Sequence, residues 1–66
     1  IKKNNNAMYI LQKNLTKYFR EITINQEVII VDNVCNSMLF KCINEAEKFK
    51  DVLYNSYNYK FNVIEL

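Results

Sequence analysis

The chain has 66 residues, half of them hydrophobic, with no His, Gly or Pro and a formal net charge of +2. That length holds one small domain, near the lower limit at which a single core sustains a fold, and the hydrophobic share excludes a disordered tail. No apolar run approaches the ~20 residues of a membrane-spanning helix, no stretch reads as a signal-peptide core, and two cysteines without His make neither a disulfide framework nor a metal set.

The expectation is therefore a soluble intracellular protein with no cofactor and no membrane span. The charge is split along the chain. Lys2, Lys3, Lys13, Lys17 and Arg20 precede Glu21 with no acidic residue among them, and all seven acidic residues follow. Such asymmetry suggests an anionic partner for the front of the molecule. A domain of this size would ordinarily use Gly and Pro at its turns; here Asn must fill that role, or the chain is a segment of something larger.

Residues 1–6 (IKKNNN) read as a disordered polar lead-in to a single small domain or fragment over 7–66. Met8, Leu11, Leu15, Tyr18, Phe19 and Ile22 then recur at helical spacing, which predicts an amphipathic helix over about 7–20. Lys13, Lys17 and Arg20 fall on its opposite side at i, i+4 and i+7. The stretch 21–32 (EITINQEVIIVD) is dense in β-branched residues and predicts a short hairpin turning at Asn25-Gln26. Its second arm, Val28 to Val31, is apolar on both faces, as a central strand would be. A long helix is expected over about 33–57, with Asn33 as N-cap. Tyr59, Phe61 and Val63 alternate with Lys60, Asn62 and Ile64, which reads as a closing strand.

The fold class so predicted is α+β: amphipathic helix, short β-hairpin, long helix, C-terminal strand. Strand 27–31 and strand 59–64 would be joined by a right-handed parallel crossover. An all-α alternative stands beside it, because Val28, Val31, Cys35, Met38, Cys42 and Phe49 extend one apolar stripe through a central helix of about thirty residues.

Cys35 is the one candidate catalytic residue, a thiol placed where a strand gives way to a helix N-terminus. That layout, with the ending Tyr59-Lys60-Phe61-Asn62-Val63-Ile64-Glu65-Leu66, resembles the opening half of the thioredoxin and glutaredoxin families, although Met38 stands where a second Cys would be. The resemblance implies a thiol protein using Cys35. The run VIIVDNVCNSMLFKCINEA from Val28 to Ala46 is similar in apolar phasing to the central helix of histone-fold transcription-factor subunits, and implies an obligate dimer partner. No Gly-rich phosphate loop, triad or carboxylate pair is present.

What remains is an interaction module, more a non-catalytic subunit than an enzyme. Lys2, Lys3, Lys13, Lys17 and Arg20 are the residues for an anionic partner, either nucleic-acid backbone or acidic protein. A single Arg among nine basic residues argues against base-specific recognition. Tyr54, Tyr57 and Tyr59 form the candidate protein interface, since Tyr tolerates a half-wet contact.

Overall fold

The computed structural model describes residues 7–66; the polar lead-in, with Lys2 and Lys3, lies outside them. Among the described residues the architecture is α+β, a four-stranded antiparallel sheet with one α-helix packed on it. The strands are β1 (Tyr9–Asn14), β2 (Lys17–Ile22), β3 (Val28–Val31) and β4 (Asn62–Glu65), and the helix is α1 (Ile43–Tyr57). Strand order across the sheet is β3-β2-β1-β4.

Over residues 7–20, where a helix is expected, none forms. Residues expected to be helical make the β1–β2 hairpin instead, turned at Leu15-Thr16, where the Asn14 side chain accepts the Thr16 N–H at 3.0 Å. Leu15 is 87% exposed at this turn. The register of β1 on β2 shifts between Gln12 and Asn14, and that of β2 on β3 between Phe19 and Glu21. The second bulge puts Phe19 and Ile22 on the same face although they are three apart. Three is also a helical interval, so a bulged strand imitates a helix in the spacing of its apolar residues.

The hairpin expected at Asn25-Gln26 is present. Thr23 donates its N–H to Glu27 O and accepts that of Gln26, both at 2.8 Å, and Gln26 takes the left-handed conformation at φ 63°. This is a three-residue loop with its third position left-handed, usually a Gly position.

The long helix is shorter than expected. Val34–Asn36 forms only a 3-10 turn, in which Asn33 caps as expected by accepting the Cys35 N–H at 2.9 Å. Extended chain follows, and Phe40 exchanges two 2.8 Å backbone bonds with Tyr9. α1 then begins after Cys42 and ends at Asn58, whose φ of 63° permits the Tyr59 N–H to reach Leu53 O at 2.9 Å.

The closing strand is present but antiparallel. β4 pairs with β1, so among the described residues the expected parallel crossover from β3 to β4 is not formed and β3 is an edge strand rather than a central one. The all-α alternative and its histone-like central helix do not form.

Ala46 and Leu53 of α1 meet Leu11, Phe19, Phe40 and Phe61 in one buried cluster. Phe19 is its hub, with ring centroids 5.9 Å from both Phe49 and Phe61. Burying each such ring contributes roughly 1.5–3 kcal/mol.

Candidate functional site

α1 packs over β1 and β4, on the face of the sheet that carries Leu11, Phe61 and Val63. Ala46, Leu53 and the half-buried Phe49 and Tyr57 recur at spacings of three and four, and this stripe seats the helix. Lys50 and Tyr54, four apart, share a neighbouring flank of the helix. Between that flank and the strand entering β4 is a cavity of about 210 Å³, lined by Lys50, Asp51, Tyr54, Lys60 and Phe61. Small-molecule sites usually run from about 300 to 1,000 Å³, so this cleft suits a single inserted side chain. Tyr54 is 59% exposed beside it. Lys50 has Glu47 at 3.8 Å, an exposed pair that holds it only weakly.

The strand bordering the cleft has an open edge. Tyr9 pairs with Glu65, Ile10 with Ile64, Leu11 with Val63 and Gln12 with Asn62. The Leu66 N–H bonds Met8 O at 2.8 Å, and Tyr9 turns both its backbone groups toward Phe40. In an antiparallel ladder these bonds fix the alternation. Ile64 and Asn62 bond inward to β1, while Val63 and Glu65 direct their N–H and C=O outward. β4 has no neighbour on that outer side among the described residues.

β3 is the other edge, with Val28 and Ile30 outward by the same alternation. The second cavity, about 280 Å³, is lined by Met38, Leu39, Phe40, Glu45, Lys48 and Phe49. Neither cavity is lined by a β3 residue. On the sheet face away from α1, Tyr18, Ile29, Val31 and Ile64 are half-buried around Ile10.

Of the basic residues singled out in the sequence, Lys2 and Lys3 lie outside the described residues, and Lys13, Lys17 and Arg20 do not share a helical face. Lys13 is exposed near the β1–β2 turn, and Lys17 is paired with Asp32. Arg20 donates from Nη1 to the carbonyl of Asn36 at 2.6 Å. Two of these three cations are thus engaged within the fold.

Of the three tyrosines, Tyr57 and Tyr59 both pack against the core cluster, and Tyr54 is exposed. Tyr54 lines the cleft, Tyr57 packs on the core, and the Tyr59 ring lies 6.2 Å from that of Phe61. Cys35 is exposed within the 3-10 turn, well before α1, and its own N–H is used by Asn33. The strand–Cys–helix–parallel-strand layout of a thioredoxin is therefore not formed. Cys42 is not inside the helix but exposed at its N-cap position. Among the described residues no group of three or more His, Cys, Asp or Glu could hold a metal ion, and no helix is long and apolar enough to cross a membrane.

Comparison with protein-family models, curated proteins and solved structures found no match to this chain. Its site must be read from its own geometry. Lys50, Lys60 and the outward backbone of Val63 and Glu65 were not singled out in the sequence. The i, i+4 spacing of Lys50 and Tyr54 was a usable signal for the helix flank. The open edge had no such signal, because it depends on which strand pairs with β4.

Proposed function

We propose that the protein is a non-catalytic interaction module, a subunit or segment of a larger assembly, which binds an extended segment of another protein along β4. The observation that carries this reading is the open β4 edge, with Val63 and Glu65 pointing outward, alongside a side-chain-sized cleft against α1. Strand addition derives affinity from main-chain hydrogen bonds and specificity from pockets that take alternate side chains. An unpaired edge with hydrogen-bonding capacity is otherwise a liability for association.

The experiment is selection of random peptides displayed on phage against the chain and against Glu65→Pro. Glu65 is exposed and its N–H faces outward, so proline removes a donor needed by an incoming strand without breaking a bond to β1. The expected result is a β-forming consensus enriched on the native chain and lost on the variant. Equal enrichment on both would contradict the proposal.

A further inference from the structure

We infer that the segment accepted along β4 is acidic, with a Glu or Asp side chain seated in the cleft between Lys50 and Lys60. The inference rests on the strand-addition reading and names its partner chemistry. Residues opposite one another on neighbouring strands share a face of the sheet. A residue added opposite Val63, or opposite Phe61 just before it, therefore projects on the side where α1 lies. There it meets the cavity of about 210 Å³ lined by Lys50, Asp51, Tyr54, Lys60 and Phe61.

The lining has two ammonium groups against one carboxylate, and Tyr54 and Phe61 supply apolar wall. A carboxylate on a short stem matches this chemistry: its methylenes lie on the rings, and its oxygens accept from the lysines. A basic side chain would meet two like charges in the lining, which is the disfavouring element specificity requires. Lys60 has no ion-pair partner among the described residues, and Lys50 has only the exposed contact to Glu47. Both ammoniums are thus available to an incoming anion.

The β3 edge has the opposite character. Glu27 and Asp32 flank it, so both of its ends carry negative charge. The occupant inferred for β4 is an acidic segment of another protein, matched to the two lysines of the cleft.

The test uses the 66-residue chain and three acetylated, amidated peptides, Thr-Val-Xaa-Val-Thr-Thr, with Glu, Gln or Lys as Xaa. Amide chemical shifts are followed during titration to millimolar peptide. The Glu peptide is expected to shift Val63 and Glu65 and to bind roughly fivefold more tightly than the Gln peptide, with Lys weakest. The Glu preference should vanish in Lys50→Gln/Lys60→Gln and shrink at high salt.

Equal binding of the Glu and Gln peptides, lost in Glu65→Pro, would overturn the acid preference and leave strand addition standing. Absence of shifts at Val63 and Glu65 with every peptide would overturn both. Protection of those amides that grows with protein concentration alone would assign the edge to a second copy and overturn the inference. A Glu peptide with its backbone amides N-methylated serves as the control if Glu65→Pro does not fold, because it removes the donors from the other side. It should not bind; undiminished binding would overturn strand addition.

Discussion

Gln26 and Asn58 both hold φ at 63° in a chain without glycine. The left-handed region costs an ordinary side chain about 1–2 kcal/mol, and Asn less because it hydrogen-bonds locally there. Gln26→Gly should therefore stabilise the fold by about 0.5–1 kcal/mol after the entropy of a freer unfolded chain is subtracted. In a thermal melt that corresponds to an increase of roughly 3–6 °C in Tm. Asn58→Gly should gain less than half as much, and a fall in Tm for Gln26→Gly would contradict the turn geometry. The sequence allowed Asn to replace Gly at turns, and Asn58 does so at the end of α1. Gln26 was not legible as left-handed, since nothing in its side chain favours that conformation. At the same scale, the Lys17–Asp32 pair is exposed on both sides. Lys17→Gln should change stability by less than about 1 kcal/mol in urea unfolding, because water and salt screen such a pair.

At the scale of elements, the third strand, the helix from Ala46 onward and the closing strand were legible in the sequence. β-branched density marked Val28 to Val31, and Ala46, Phe49 and Leu53 kept helical phase to the end of α1. The first hairpin was not legible. Leu11, Leu15 and Phe19 keep four-residue intervals, yet Leu11 and Phe19 are buried and Leu15 lies on the turn between them. Two register shifts then carry the spacing off the period of two that marks a regular strand. Mutations separate the two structures of this segment. Leu15→Asn should leave stability within about 0.5 kcal/mol, as for surface sites generally, whereas a helix with Leu15 on its buried stripe would lose several times that. Phe19→Ala removes the ring that contacts both Phe49 and Phe61 and should cost about 3–5 kcal/mol. A domain this small has little more than that in hand, so its circular dichroism melt should lose cooperativity. A cooperative melt near the native Tm would count against Phe19 as the hub.

For the whole molecule, the decisive feature is that β1 lies between β2 and β4. Once residues 9–14 are a strand, the closing strand pairs antiparallel with β1 and the expected parallel crossover disappears. β4 then lies at the rim of the sheet beside the exposed flank of α1. Sequence spacing could place Lys50 and Tyr54 on one side of a helix, but pairing between residues 9–12 and 62–65 decides that this side faces an open edge. Lys13, Lys17 and Arg20 illustrate the converse. Their spacing was real, but on strands it distributes them, and Asp32 and the Asn36 carbonyl engage two of them.

The account depends most on the open backbone of β4, and amide hydrogen exchange followed by NMR on the free chain reads it residue by residue. Asn62 and Ile64 bond to β1 and should exchange slowly, while Val63 and Glu65 point outward and should exchange fast. Alternating protection of this kind establishes an edge ready to take a strand. Slow exchange at Val63 and Glu65 with fast exchange at Ile64 would mean that the register on β1 is shifted by one residue, and the proposed docking edge would not exist.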